Sequence, residues 1–167
     1  KAKQNLYLQE GIDALKGDAE QKDLRANFVT ILMQNQFQAG DKEGFMKTAE
    51  IMKTEFADDE NAVNAYLMEG QFAFEAKDYE TAKKAFLAGS EKYPDDEKCL
   101  LMAAWMKAQT TGSKKEDMNE AITLFKKLEA ANPESPELWG ESLYVLYNNT
   151  QQPKLAANYK KYYKSNK

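Results

Sequence analysis

The chain has 167 residues, 43% of them apolar and 30% charged, with a net charge of −4. That balance belongs to a chain that folds, and the length suffices for one domain with a real core or for several small repeats. The acidic excess tells against non-specific nucleic-acid binding, no apolar run approaches membrane-spanning length, and the absence of histidine excludes Ser-His-Asp triads, Cys-His pairs and His-ligated zinc.

Charge is unevenly spread. The first sixty residues carry eight basic and twelve acidic groups, whereas Glu141–Lys167 carries five lysines and one acid. The single Cys99 cannot form an internal disulfide, and its neighbours Leu100, Leu101 and Met102 mark it as a packed thiol rather than a nucleophile. None of the eight glycines falls in a phosphate-cradling loop.

In chain order, the opening stretch Ala2–Lys16 spaces Leu8, Ile12 and Leu15 along one helical face. Sliding the chain by 37 residues lays these three on Phe45, Ala49 and Met52. The opening helix therefore reads as the second helix of a repeat whose first is missing, and the chain as a fragment of a longer protein; a lone N-terminal capping helix is the alternative. The same shift lays Asn27 on Asn64, Gln34 on Gln71, Phe37 on Phe74, Ala39 on Ala76, Asp41 on Asp78, Glu43 on Glu80 and Lys47 on Lys84. It also lays Asp58-Asp59-Glu60 on Asp95-Asp96-Glu97. A period of this size is the signature of stacked helical hairpins.

Asn61–Ala76 then carries Val63, Tyr66, Leu67, Gly70, Ala73 and Phe74 at helical spacing. After a short break at Lys77-Asp78, a second helix carries Tyr79, Ala82, Ala85, Phe86, Gly89 and Tyr93, and Pro94 stops it. Asp96 is placed to cap the following helix, so the acidic joints are helix caps rather than a calcium loop, which needs more oxygen ligands. Thr110–Ser113 reads as a lengthened inner turn, and Ser113-Lys114-Lys115-Glu116 as a capping box opening a helix through Ala121, Phe125 and Leu128. Ser135-Pro136 offers a cap and a first-turn proline ahead of Leu138, Trp139, Leu143 and Leu146. A last helix, behind Asn148–Pro153, carries Leu155, Tyr159 and Tyr162, with the flanking lysines on its outer face.

These residues resemble the tetratricopeptide repeat (TPR) family. The best unit is Tyr66, Gly70, Ala73, Ala82, Phe86, Gly89 and Pro94, with Ala73 small where tyrosine is common. The next matches through Ala104, Ala121, Phe125 and Pro133 but has Leu100 for the aromatic and Lys107 at the usual tyrosine place. The last keeps Trp139, Leu155, Tyr159 and Tyr162 while putting Leu143 at a small-residue place. In the poorest unit Val29, Met33, Phe45, Ala49 and Met52 stand at the key positions. The resemblance implies an all-α, right-handed superhelix of antiparallel hairpins. It forms a single array over residues 1–167: 1–18 as a truncated repeat or cap, then hairpins at 22–58, 59–95, 96–134 and 135–167.

By the same resemblance, the first helix of each hairpin lines a concave groove that holds a peptide or partner helix. The positions carried over are Asn27, Gln34, Phe37, Asn64, Met68, Gln71, Phe74, Lys98, Met102, Trp105, Tyr144 and Tyr147, with Thr30, Ile31, Leu67, Leu101, Glu137 and Glu141 beside them. Asn and Gln can bond a peptide backbone, and Met and the aromatics supply adaptable apolar area. Chaperone-docking members clamp a terminal carboxylate, a chemistry that only Lys98 fits here, so an apolar or amphipathic ligand is expected. The expected function is a protein-binding scaffold without catalysis, cofactor or metal. The alternative is a structural spacer or self-assembly element, homo-oligomeric through its N-terminal end. No nucleic acid is expected as partner, no transmembrane segment is expected, and the cellular compartment stays open.

Overall fold

The computed structural model describes residues 2–110 and 114–164, and every regular element among them is helical. The helices are α1 (Ala2–Ala14), α2 (Lys22–Ala39), α3 (Lys42–Glu55), α4 (Ala62–Glu75), α5 (Tyr79–Lys92), α6 (Glu97–Thr110), α7 (Lys115–Ala131), α8 (Gly140–Asn149) and α9 (Pro153–Tyr159). Single 3-10 turns stand at Pro136–Leu138 and Lys160–Tyr162. Among the described residues no helix is long and apolar enough to cross a membrane. The chain divides into two compact units between Phe72 and Ala73, inside α4. In the first unit α1 packs on α2 and α2 on α3; in the second, α5 packs on α6, α6 on α7, α7 on α8 and α8 on α9.

One corner recurs. At positions 40, 77 and 151, intervals of 37 and 74 residues, the chain turns left-handed, with φ of 70° at Gly40 and 61° at Lys77 and Gln151. In each case the next amide reaches back five residues: Asp41 to the Gln36 carbonyl, Asp78 to that of Ala73 and Gln152 to that of Tyr147, at 2.8–2.9 Å. This is the Schellman closure, which satisfies carbonyls the helix end leaves open. The first two corners are completed by a carboxylate. Asp41 Oδ1 accepts from the Gly44 amide at 2.9 Å and Asp78 Oδ1 from that of Thr81 at 3.1 Å. The third instead opens α9 with Pro153, whose missing N–H costs nothing in the first turn. The lengthened turn expected at Thr110–Ser113 and the Ser113 capping box fall on residues 111–113, outside the described residues; α7 starts behind Lys114, which makes no side-chain cap.

The outer joints recur too. Phe56, Tyr93 and Asn132 leave their helices in a similar way, with φ between −125° and −133° and ψ between 33° and 72°. The amide three residues on bonds each carbonyl in turn: Asp59 to Phe56, Asp96 to Tyr93 and Ser135 to Asn132. Asp96 Oδ1 caps α6 through the Cys99 amide at 2.7 Å, and Asp59 Oδ1 accepts from Asn61 at 2.8 Å, so both acidic joints serve the backbone. Ser135 makes no side-chain cap. The helix expected directly behind Pro136 starts only at Gly140, because Trp139 Nε1 donates to the Asn132 carbonyl at 2.9 Å and its backbone, at φ −136°, stands outside the helical range.

In the first unit Ile12, Val29, Leu32, Met33, Phe45, Ala49 and Met52 are almost completely buried. Gly11 lets α1 close on α2: a Cβ there would come within 2.7 Å of the Phe28 ring. Phe37 meets Phe45 and Phe72 edge to face, Phe45 and Phe72 tilt at 56° to each other, and the centroids lie 4.8–6.1 Å apart, the spacing that ring quadrupoles favour. Arg25 is buried at 5% exposure. Its Nε donates to the Ile12 carbonyl at 2.8 Å, in the last turn of α1, and its guanidinium fork meets Glu55 at the end of α3 and lies over the Phe56 ring at 5.3 Å. The hydrogen bond from Arg25 and its charge hold the Glu55 carboxyl below the usual range. Lys53 pairs with Glu69 and covers the Tyr66 ring at 4.4 Å, tying α3 to α4.

In the second unit Ala82, Ala85, Phe86 and Gly89 face inward from α5, while Tyr79, expected on the same stripe, is 45% exposed. Cys99 is fully buried; its Sγ donates to the Phe86 carbonyl at 3.6 Å, and burial, with Asp96 nearby, pushes its pKa up to about 12. A contiguous core follows from Leu100 and Ala104 through Ala121, Phe125 and Leu128 to Trp139, Leu143, Leu146, Tyr147, Ala156 and Tyr159. Lys107 forms ion pairs with Asp117 at 3.3 Å and Glu120 at 2.6 Å, so a charge contact joins α6 to α7 where the family resemblance has tyrosine. At the end of the chain Tyr159 and Tyr162 pack on Trp139 at 6.1 and 5.2 Å, and Lys160, Lys161 and Lys164 face solvent as expected. Leu155 does not turn inward; it is 43% exposed, and Ala156 occupies the buried place in this short helix.

Candidate functional site

The left-handed corner at Lys77 brings the end of α4 and the start of α5 together. Phe74 and Tyr79 consequently face each other with ring centroids 5.6 Å apart. From α6, Trp105 closes on Phe74 at 5.8 Å. These three rings, with Met106 and Gln109, line a cleft of about 260 Å³. Met106 is buried, whereas Phe74, Tyr79 and Trp105 are 36%, 45% and 38% exposed. Three large aromatics left open in one place is the kind of apolar patch that marks a contact surface. Among the described residues no lining side chain carries a charge at neutral pH, and those that line the cleft offer stacking area and neutral hydrogen bonds.

Two sequence-predicted residues, Phe74 and Trp105, meet in this cleft. On α6 the exposed or half-buried residues Lys98, Met102 and Trp105 recur at helical spacing, which makes one accessible stripe, while Cys99, Ala103 and Met106 face the core. In the first unit Asn27 and Gln71 are exposed, and Gln34, Asn64 and Met68 are half-buried. Phe37 belongs to the ring cluster with Phe45 and Phe72. Tyr144 rests against Tyr163, with centroids 4.7 Å apart. Tyr147 does not line an open surface: it is 8% exposed and stacks on Tyr159 at 5.6 Å and 25°, because the corner after α8 folds α9 across it. Tyr79 escaped the groove expectation altogether. Its signal was its position, one residue after a helix break, where the first-turn face is not yet covered.

Two other clefts differ in chemistry. One, of about 320 Å³, is lined by Pro136, Glu137, Glu141, Lys161, Tyr162 and Lys164, whose two acids and two lysines balance. The other, of about 200 Å³, includes Arg25, whose donors already serve Ile12 and Glu55. Among the described residues no group of three His, Cys, Asp or Glu side chains could hold a metal ion. No protein-family profile matches the chain, and no curated protein matches it in sequence.

Proposed function

We propose that the chain is a TPR-like helical-hairpin scaffold that binds a segment of a partner protein. Recurring corners at a 37-residue period and helices packed on their chain neighbours support the repeat reading. The single observation that carries the binding reading is the open aromatic cleft of Phe74, Tyr79 and Trp105, built from rings that a purely structural chain would cover. Met102 and Lys98 extend the accessible face of α6 beyond it. A photo-crosslinking residue at position 105, introduced in the native host, tests this. Cross-linking to one protein, competed by excess unlabelled chain, is the expected result; cross-linking only to water, or indiscriminately, overturns it.

A second reading, self-assembly, is favoured by Leu6 and Tyr7 on α1 and Leu24 and Ile31 on α2, all 40–58% exposed. Light scattering of the wild type and of Leu6→Ser/Ile31→Ser separates the two: a mass that falls in the variant supports assembly through this face, and an unchanged monomer mass removes it.

A further inference from the structure

We propose that the outer face of α1 docks on the same face of a second copy of this chain, the two helices running antiparallel about a twofold axis between Leu6 and Tyr7; the proposal rests on the self-assembly reading above and specifies its geometry. One side of α1 is taken up within the chain. Ile12 is buried, Leu8 and Leu15 are half-buried, Gly11 closes on the Phe28 ring of α2, and Asn35 Nδ2 donates to Asn5 Oδ1 at 2.9 Å. The other side carries Lys3, Leu6, Tyr7 and Glu10, spaced as one helical stripe and all exposed. Leu6 and Tyr7 are 56% and 58% exposed, more than any other large apolar side chain among the described residues.

The order of the stripe selects the occupant. It reads basic, apolar, aromatic, acidic, and each charge stands three residues from the nearer member of the apolar pair. In an antiparallel pair centred between Leu6 and Tyr7, Lys3 of each copy meets Glu10 of the other and Leu6 meets Tyr7, and the symmetry makes each contact twice. A parallel pair would set lysine against lysine and glutamate against glutamate, which repel. Both charges are available for this pairing. Among the described residues neither Lys3 nor Glu10 forms an ion pair within the chain; Lys3 only lies over the Tyr7 ring, at 5.9 Å. Asp13, further along the helix, is already bonded by Gln9 Nε2 at 3.2 Å. A foreign ligand needs no such mirrored pattern, whereas a twofold contact must be complementary to itself. The contact is small, so the dimer is a weak one that salt loosens further.

Sedimentation equilibrium of the full chain over a concentration series tests this with Lys3→Glu, Glu10→Lys and the exchange Lys3→Glu/Glu10→Lys. The first turn of α1 holds no acidic residue, so a glutamate at position 3 suits the helix, and circular dichroism checks that every variant keeps its helix content. Wild type and exchange should dimerise with similar strength. Each single reversal sets like charges together twice per dimer and should weaken association at least about tenfold. An equimolar mixture of the two single variants should recover dimers, since one then carries only acids at these positions and the other only lysines. Wild-type association that the single reversals leave unchanged, or that the mixture does not restore, overturns this geometry and leaves self-assembly to be judged by Leu6→Ser/Ile31→Ser. A mass that climbs past two copies overturns the closed pair in the same way. A wild type that stays monomeric throughout overturns both this geometry and the self-assembly reading.

Discussion

At the N-terminal end of the chain Arg25 draws α1 and α3 onto α2 with directional bonds, one to a helix-end carbonyl and a forked set to Glu55. At the C-terminal end Trp139, Tyr147, Tyr159 and Tyr162 hold α8 and α9 by stacked and edge-on rings, with a single indole N–H fixed to Asn132. Yet the inner corners at 40–41 and 151–152 have the same backbone closure. One hairpin geometry therefore tolerates two kinds of interior, a polar clamp and an aromatic stack. What the two ends hold in common is the closure of the turn between their helices, and the residues that fill the space between those helices differ.

The largest expected effect separates the two interiors. Trp139→Ala should destabilise the second unit by about 3–5 kcal/mol, read as lost hydrogen-exchange protection in α8 and α9. Trp139→Phe, which keeps a ring and loses the bond to Asn132, should cost about 1 kcal/mol. The directional interior should answer differently. Arg25→Met, which leaves the Ile12 carbonyl and Glu55 without their donor, is expected to cost about 2 kcal/mol, tempered because Glu55 is 38% exposed. Arg25→Lys keeps the charge but not the fork, and should recover less than half of that in urea melts. If lysine restores wild-type stability, the fork does not matter and the comparison fails.

A pH effect sharpens the same contrast. Because Arg25 holds the Glu55 carboxyl below its ordinary 4.5, the pair's contribution is complete above about pH 4.5 and is lost as pH falls through the lower folded value. Acid should loosen α1–α3 through this pair, and Glu55→Gln should flatten that part of the acid limb when melting is followed between pH 6 and pH 3. The smallest effect concerns the corners. Lys77→Gly and Gln151→Gly each place glycine where φ is 61°, and should stabilise by a few tenths to about 1 kcal/mol, whereas Gly40→Ala should destabilise by a similar amount.

Helical spacing alone located most of the interior: Ile12, Phe45, Phe86 and Phe125 are all buried where the apolar stripes put them. The 37-residue offset also pointed at its joints, with Asp96 capping α6 as expected. Asp41 and Asp78 were visible as a matched pair, but their capping role was not, since a carboxylate at a helix start looks like any surface acid until the break before it is fixed. Spacing gives a helix face, not which neighbour will cover it. That is why Tyr147 was expected open and Tyr79 packed. Arg25 carried a different sign: it is the only arginine among 23 basic residues, and a chain so committed to lysine keeps a guanidinium where a rigid fork is needed.

Cys99 gives the molecule a built-in stopwatch. Its thiol is fully buried and held protonated far above neutral pH, so an alkylating reagent meets almost no thiolate while α5 and α6 stay together. Modification at this lone thiol becomes a count of how often that helix pair parts, read in the untouched chain by mass alone.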